Sequence, residues 1–164
     1  MKKLVLMAFA MCFFAMTACN NDGGSSKVTI PDTFTTYDNE DFSIMYPGEM
    51  EVTWSTGFLN TRMKDNSAKL DAAFSDMAPS VSELKRYSDN IVYMLKNDGY
   101  TVDNPKIKDN VFVVRCVKDD QVRQSFSVVE EGSKGVSGNV YYPLADEATW
   151  KPWAEAVIAS VKIK

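Results

Sequence analysis

The sequence of 164 residues contains no histidine, and it has only three cysteines. Without histidine, the chain has no Ser-His or Cys-His pair to activate a nucleophile and no histidine-rich metal site. It also lacks the G-x-S-x-G elbow of hydrolases and the G-x-x-x-x-G-K-[ST] loop that binds phosphates. These absences exclude the common nucleophilic and nucleotide-dependent enzymes, so we predict no catalytic residue, no metal and no cofactor.

A run of about 20 apolar residues, which a membrane-spanning helix needs, is missing as well. The apolar stretch of residues 4–15 is shorter, follows Lys2 and Lys3, and precedes two small residues. A basic start, a short apolar region and a small-residue cleavage site are typical of a secretory signal peptide. We therefore expect residues 1–18 to form a signal peptide that is removed.

The tetrapeptide that ends this stretch, Met16-Thr17-Ala18-Cys19, resembles the lipobox of bacterial lipoproteins. The resemblance implies a diacylglyceryl group on the Cys19 thiol and an acyl group on the amine that cleavage exposes. Each buried methylene contributes about 0.8 kcal/mol, and two or more acyl chains hold a protein firmly at a membrane. Residues 19–27, which include the polar run NNDGGSS, then form the lipidated cysteine and a flexible tether.

Charge supports attachment through lipid alone. Loss of Lys2 and Lys3 with the signal peptide changes the formal net charge from −4 to −6. A chain so acidic is not expected to bind nucleic acid or anionic lipid head groups. Asn20 stands where an aspartate would resemble the inner-membrane retention signal of lipoproteins, which favours an outer-membrane location in the bacterial envelope. The sequence leaves open whether the domain faces the periplasm or the exterior.

The cysteines allow no intramolecular disulfide in the mature chain. Cys12 leaves with the signal peptide, Cys19 carries the lipid, and Cys116 is then alone. Cys116 lies in the apolar run VFVVRCVK, where we expect a small buried hydrophobic residue rather than a reactive thiol.

Alternating apolar residues predict strands early in the remaining segment, residues 28–164. DFSIMYP (41–47) alternates and ends at a Pro-Gly turn, and EVTWSTGF (51–58) is predicted to return as its partner strand. NTRMK and AKLDAAFS flank residues 65–67, Asp-Asn-Ser, a sequence that favours a hairpin turn.

The clearest secondary-structure signals predict a helix over residues 81–98. Ser80 and Glu83 form an S-x-x-E capping box, and apolar residues then recur at three- and four-residue steps. Gly99 fits the left-handed conformation that ends many helices. Start, apolar face and stop all agree.

The last third of the sequence predicts an antiparallel meander and a closing helix. Strand-like runs cover residues 110–118, 121–130 and 135–144, and the first is apolar on both faces, which indicates a central strand. Residues 146–160 predict a second helix whose regular part begins at Pro152, because proline is favoured in a first turn. The terminal VKIK suggests a short strand. This order of elements predicts one α+β domain with a single antiparallel sheet.

The segment YDNEDFSIMYPGEM resembles the opening hairpin of PsbP-like domains, a group that includes extrinsic photosystem proteins and the DcrB-like bacterial lipoproteins. The resemblance is carried by Asp41, Phe42, Ile44, Tyr46 and Pro47. Met50 stands where many relatives have tryptophan, which is a departure from the pattern. The resemblance implies an α-β-α sandwich around one twisted antiparallel sheet over residues 28–164, and it implies no catalysis.

Two sets of residues remain as candidate sites. Three acidic clusters lack the spacing of a calcium loop and are interpreted as solvated charges at turns. They are Asp38/Glu40/Asp41, Asp119/Asp120 and Glu130/Glu131. Six aromatic residues flank turns and the closing helix, where large rings either fill the core or, if exposed together, mark a partner or ligand surface. They are Trp54, Phe58, Tyr141, Tyr142, Trp150 and Trp153.

Together these features predict a lipid-anchored cell-envelope protein. Its PsbP-like domain is expected to be a non-catalytic binding or assembly module for an envelope protein or a small ligand. Two alternatives stay open. A hydrolase of envelope polymers would need two carboxyl groups about 5–10 Å apart in a cleft. A purely structural spacer would have neither a cleft nor an exposed apolar patch.

Overall fold

The structure, a computed structural model, describes residues 28–164. The signal peptide, the lipid-attachment residue Cys19 and the tether, all predicted from sequence, lie outside the described residues. Within them, eleven β-strands and two α-helices form two sheets and their covering layers. In chain order the elements are β1 (Phe34–Asp38), β2 (Phe42–Pro47), β3 (Glu51–Trp54), β4 (Phe58–Arg62), β5 (Lys69–Ser75), α1 (Leu84–Asn97), β6 (Thr101–Val102), β7 (Lys106–Lys108), β8 (Val111–Lys118), β9 (Gln121–Val129), β10 (Gly135–Pro143), α2 (Glu147–Ala159) and β11 (Lys162–Ile163).

Helix α1 begins and ends where its sequence signals stand. The Glu83 carboxylate accepts hydrogen bonds from the backbone N–H of Ser80 at 3.1 Å and from the Ser80 hydroxyl at 2.9 Å. At the other end, Gly99 has a φ of +85°, and its N–H donates to the Lys96 carbonyl at 3.1 Å. The predicted helix over residues 81–98 is confirmed, with a 3-10 turn as its first three residues.

The predicted meander and the early hairpin are both present in the large sheet. Strands β8, β9 and β10 pair antiparallel in chain order. Asp119 and Asp120 make the first turn with φ values of +50° and +61°, as a two-residue hairpin with matching twist requires. Strands β4 and β5 pair around residues 65–67. The order of the large sheet is β3-β4-β5-β10-β9-β8-β6, with β7 also pairing to β8.

Helices cover the two faces of this large sheet. Helix α1 packs on one face, over Phe112, Val114 and Cys116 of β8. Helix α2 packs on the other face, together with a small sheet of order β1-β2-β11. The α-β-α sandwich expected from sequence is therefore confirmed, and Cys116 is a buried free thiol. The small second sheet was not predicted; it forms because the C-terminal strand, Lys162–Ile163, returns to pair with β2.

The predicted pairing of residues 51–58 with residues 41–47 is wrong. Strand β2 pairs with β1 and β11, whereas β3 pairs with β4 in the large sheet. The turn after β2 is closed against the start of β1, because the N–H of Gly48 donates to the Thr33 carbonyl at 3.0 Å. That bond turns the chain away from β2 and towards the other sheet.

The expected start of the closing helix also needs correction. Helix α2 begins at Glu147, and Pro152 lies inside it rather than in its first turn. Trp150 and Ala154, on either side of Pro152, are buried and pack α2 against the core. The stabilisation from this burial outweighs the loss of the helical hydrogen bond that proline cannot donate. In the part of the chain that the structure describes, neither helix has the length and apolarity to cross a membrane.

Candidate functional site

A cavity of about 500 Å³ opens between helix α2, strand β8 and the segment of residues 103–109. We call it the α2 cavity. Its apolar lining comes from Val111 and Val113 of β8 and from Ile158 of α2. Its exposed charged residues are Asp103, Lys106, Lys108, Asp109, Lys151 and Glu155. The cavity therefore combines an apolar interior with a rim that carries both signs of charge.

Alternation along β8 explains how one strand supplies both a core face and a cavity wall. Residues Val111, Val113 and Arg115 point to the α2 side, while Phe112 and Val114 point to the α1 side. Because both sets are largely apolar, both faces of the strand are covered, as its sequence predicted. On the α2 side the covering is incomplete, and the gap is the cavity.

A charge network closes one wall of the cavity. Arg115 donates two parallel hydrogen bonds to the Glu147 carboxylate, from Nε at 2.6 Å and from Nη2 at 2.8 Å. Its third nitrogen, Nη1, donates to Asp103 at 3.1 Å. The Arg115 and Glu147 side chains are each 25% exposed. The bidentate geometry fixes the guanidinium at the junction of β8, α2 and the segment after β6.

The same contacts shift the pKa values of both partners. The hydrogen bonds from Arg115 lower the pKa of Glu147, and those to Glu147 raise the pKa of Arg115. Glu147 therefore stays ionised to a lower pH than an unpaired glutamate does. Its carboxylate is also hydrogen-bonded by the hydroxyl of Tyr142, which accepts in turn from Gln124 Nε2 at 2.7 Å. Both Gln124 and Tyr142 are buried.

No sequence motif identifies this network. One signal for it was present: Arg115 is a cation in the middle of an otherwise apolar strand. A charge at such a position needs a partner, because an unpaired buried charge is costly. The partners, Asp103 and Glu147, are distant from Arg115 in sequence, so they can be identified only from the three-dimensional structure.

Val28, the first described residue, also lines the α2 cavity. It follows Cys19 by nine positions, and a chain of nine residues reaches at most ~30 Å. A lipid attached at Cys19 would therefore lie within ~30 Å of the cavity.

Three of the six candidate aromatic residues belong to the core on the α2 side. Tyr142 is fully buried and Trp150 is 8% exposed. Trp153 packs edge-to-face on Trp150, with ring centroids 5.0 Å apart, and on Phe34 at 5.8 Å. These three rings are packing residues, so the suggestion that they contribute to an exposed surface is not supported.

The other three candidates lie on the α1-side face of the large sheet. Trp54 is 55% exposed and Phe58 is 40% exposed, and their rings stack with centroids 6.1 Å apart. Tyr141 is half-buried on the same face, where its ring is 5.7 Å from the Arg123 guanidinium. Trp54 and Phe58 form the aromatic pair that is open to a partner.

The acidic clusters lie at turns and strand ends: Asp38 ends β1 and pairs with Lys164 at 2.8 Å, whereas residues 40–41, 119–120 and 130–131 are exposed at turns. Among the described residues, no group of three acidic or cysteine side chains is arranged to hold a metal ion. Desolvation raises the pKa of the buried Cys116 to about 11, so its thiol is protonated and unreactive at neutral pH.

Comparisons with known proteins find the fold but no sequence family. No protein-family model matches the chain, and no curated protein matches it. Among solved structures, the solution structure of cyanobacterial PsbP (CyanoP) from Synechocystis sp. PCC 6803 superposes with a TM-score of 0.62. The two are 12% identical over 86% of this chain and 98% of that chain. The chain has a PsbP-like fold.

The residues that carried the PsbP-like resemblance in the sequence are structural. Phe42 and Ile44 are fully buried in β2, and Tyr46 is 7% exposed. Met50 is also buried, and the Thr61 hydroxyl donates to its sulfur at 3.2 Å. The residues of this short motif therefore pack the small sheet, and their similarity to PsbP-like domains reflects the fold rather than a function.

Proposed function

We propose that this chain is a lipid-anchored protein of the bacterial cell envelope, close in kind to the DcrB-like lipoproteins. Its PsbP-like domain is a non-catalytic binding module that holds a small amphipathic ligand in the α2 cavity. The lipobox-like residues 16–19 supply the anchor, and Asn20 favours the outer membrane. The observation that carries the proposal is the cavity itself, with an apolar interior, a charged rim and Val28 at its lining.

The size and lining of the cavity fit this role. Small-molecule sites usually enclose about 300–1,000 Å³, with mostly apolar walls and a few placed polar groups. Val111, Val113 and Ile158 supply the apolar walls, and the Arg115–Glu147 pair makes one side rigid. A ligand with an apolar body and a charged or polar end matches this arrangement.

A hydrolase of envelope polymers has less support. Its general acid would need a raised pKa, and the cavity-side Glu147 has a lowered one. Glu147 and Asp103 are also both paired with the same guanidinium. Desolvation raises the pKa of the half-buried Asp71. The charged neighbour of Asp71, however, is Arg123 rather than a second acid. A structural spacer does not explain a cavity of this size.

The anchor is tested by fractionation and mass spectrometry of the protein from its native envelope. We expect the wild-type chain to begin at an acylated Cys19 and to sediment with membranes. Cys19→Ala should move to the soluble fraction, while the control Cys116→Ala should still sediment. Sedimentation of Cys19→Ala with membranes, or an unmodified Cys19 thiol in the mature protein, would contradict the proposed anchor.

The cavity is tested with anilinonaphthalene sulfonate, an amphipathic fluorescent anion, added in detergent-free buffer to chains that all carry Cys19→Ala, because detergent micelles would bind the dye themselves. Val113→Trp places a large ring in the cavity, whereas Val52→Trp places the same ring on an exposed edge strand. We expect fluorescence enhancement for the wild type and Val52→Trp, and its loss in Val113→Trp, with melting temperatures measured for all three. Equal enhancement in the two variants would overturn the cavity as the binding site.

A further inference from the structure

The register of the large sheet aligns one row of polar side chains across five strands. Trp54 on β3 lies opposite Asn60, Asn60 opposite Asp71, Asp71 opposite Asn139, and Asn139 opposite Ser125 on β9. Directly opposite residues share one face of a sheet, so all five lie on the α1 side. At a strand spacing of about 4.8 Å, this row is about 19 Å long. We call it the polar row.

Hydrogen bonds hold the inner half of the polar row in place. Asn139 Nδ2 donates to Asp71 at 2.7 Å, and Asn139 Oδ1 accepts from the Ser125 hydroxyl at 2.7 Å and from Arg123 Nε at 2.8 Å. Arg123 Nε also lies 2.9 Å from the Ser125 hydroxyl oxygen. The planar carboxyl, amide and guanidinium groups are thus oriented before any ligand arrives.

These groups keep unused hydrogen-bonding capacity. The guanidinium of Arg123 lies over the rings of Tyr100 and Tyr141, at 5.8 and 5.7 Å, and in the described structure its two terminal nitrogens make no hydrogen bond. Asn60 Oδ1 accepts from Thr53 at 2.6 Å, which leaves its Nδ2 as a donor. A carboxylate has about four acceptor sites, and one side-chain donor reaches Asp71.

An aromatic platform stands at the outer end of the row. The Trp54 indole N–H donates to the Thr56 carbonyl at 3.0 Å, inside the β3–β4 turn, and the Phe58 ring stacks against the indole with 20° between the two planes. The turn therefore holds an exposed ring in a fixed orientation, although nothing in the core requires the ring to be there.

Helix α1 does not cover this part of the sheet. It packs against β6 and β8, and it leaves β3, β4 and β5 open. Lys69 and Ala73, the neighbours of Asp71 on the same face of β5, are both exposed. The small Ala73 beside the row leaves room for a ligand to approach Asp71 and Asn60.

We propose that the polar row binds a glycan chain. Sugar rings offer adjacent hydroxyls that both donate and accept hydrogen bonds, which planar carboxyl, amide and guanidinium groups recognise in pairs. Their C–H faces stack on aromatic rings such as Trp54. Because Ser125 is buried, the accessible part of the row runs from Trp54 to Asn139. This part is about 14 Å long at a strand spacing of about 4.8 Å, and it presents both features to a short oligosaccharide.

Other ligand classes fit the polar row less well. The formal net charge of −4 and Asp71 in the centre of the row disfavour nucleic acid. The paired polar groups disfavour an acyl chain, because they would lose their hydration without gaining partners.

The two binding sites lie on opposite faces of the large sheet. Ser125 of the row pairs with Val114, which faces α1, whereas the next residues along β8, Val113 and Arg115, face the cavity. Val28, the first described residue, is on the cavity side. The glycan-binding face is thus on the opposite side of the sheet from Val28. This proposal does not depend on a ligand in the α2 cavity.

The test uses the detergent-solubilised, acylated full chain and isothermal titration with two probes. Chitotetraose is a neutral, N-acetylated glycan, and tetragalacturonate is an acidic one. We expect at least one to bind, and Trp54→Ala and Asn60→Ala each to weaken its Kd by about tenfold, the size of a lost stacking or hydrogen-bonding contact. Tyr93→Ala removes an aromatic ring that is 67% exposed on α1, and it should leave the Kd unchanged.

The choice between the probes identifies the class of glycan. Binding of the acidic probe alone, weakened by salt, assigns Arg123 and Lys69 a direct role. Binding of the neutral probe, insensitive to salt, assigns recognition to the amides and Trp54. Absence of binding by both probes at millimolar concentration, or binding that survives Trp54→Ala and Asn60→Ala in variants that melt like the wild type, overturns the proposal.

Discussion

The two faces of the large sheet are built from the same strands but differ in what covers them. On β5, Leu70 and Ala72 point to the α2 side and are 1% exposed, whereas Lys69 and Ala73 point to the α1 side and are exposed. The α2 side is closed by a helix and a second sheet, and the gap between α2 and β8 is the α2 cavity, which is open at its charged rim. On the α1 side, helix α1 packs over β6 and β8, and Ser127 of β9 is buried as well. This face carries an ordered polar network across β5, β10 and β9, and over β3 and β4 it leaves Trp54 and Phe58 exposed. We therefore expect substitutions on the α2 side to change mainly the free energy of unfolding. Substitutions on the exposed part of the α1 side should change mainly ligand binding.

The largest expected difference between the faces is between two tryptophans. Trp150→Ala removes a ring that is 8% exposed in the core, and it should lower the free energy of unfolding by about 3–5 kcal/mol. Trp54→Ala removes a ring that is 55% exposed and should cost about 1 kcal/mol, since its stacking on Phe58 and an exposed hydrogen bond to the Thr56 carbonyl are lost. Urea unfolding of both variants measures the difference. Equal losses would mean that the α1-side face is as structural as the other.

The next effect concerns the ion pair at the cavity wall. Arg115→Met leaves the Glu147 carboxylate three-quarters buried without its main partner, and it should lower the free energy of unfolding by about 1–3 kcal/mol.

A matched control is Lys85→Met, whose bond to Asp89 is equally short at 2.6 Å but exposed, and which should cost less than about 0.5 kcal/mol. Adding Glu147→Gln to Arg115→Met should recover part of the loss. If Arg115→Met and Lys85→Met cost the same, burial of the cavity pair has no energetic role.

The sequence predicted the parts of the fold that local rules control. The S-x-x-E box and Gly99 located α1, and alternation with turn residues located the meander and the hairpin at residues 65–67. Pairing between distant segments was beyond local rules. Nothing in residues 41–58 shows that β2 pairs with the C-terminal strand, where Ser43 meets Lys162, 119 positions away, rather than with its neighbour.

The candidate sites show the same division. The sequence identifies aromatic residues near turns, but it does not show which of them are exposed. Trp54 is exposed and Trp150 is buried because the fold covers only Trp150. The polar row could not be predicted, because its five residues come from five strands and meet only through the register. Arg115, in contrast, could have been identified from the sequence, because a charged residue within an apolar strand needs a partner.

A smaller effect lies where α1 meets the sheet. Ser88 is fully buried, and among the described residues its hydroxyl has no hydrogen-bond partner. Ser88→Ala removes an unsatisfied polar group and should raise the free energy of unfolding by about 1 kcal/mol. Asn90→Ala, at an exposed site on the same helix, controls for the higher helix propensity of alanine. A gain no larger than that of Asn90→Ala would show that the hydroxyl is hydrated or bonded in solution.

The smallest effect is in the pH dependence of stability, where one carboxyl on each face should act with opposite sign. The pKa of Glu147 is lowered from 4.5 by Arg115, so the folded state holds its proton more weakly than the unfolded chain. Glu147 therefore stabilises the fold above pH 4.5, and this contribution is lost as the pH falls through its folded pKa. The pKa of Asp71 is raised from 3.8 by desolvation, so its ionised form costs stability at neutral pH. That cost disappears as the pH falls through the folded pKa towards 3.8.

Unfolding midpoints from neutral pH into the acid range should separate the two groups. Glu147→Gln should be less stable than the wild type at neutral pH, with the gap closing on acidification. Asp71→Asn should be slightly more stable at neutral pH, because the amide needs no charge solvation and can still accept from Asn139. This gap too should close below the folded pKa of Asp71. Each effect should be below about 1 kcal/mol, since both carboxyls are partly solvated. Stability differences of the same sign for the two variants would contradict this contrast. The contrast is between Glu147, which is stabilised by its ion pair on the α2 side, and Asp71, which is desolvated on the α1 side.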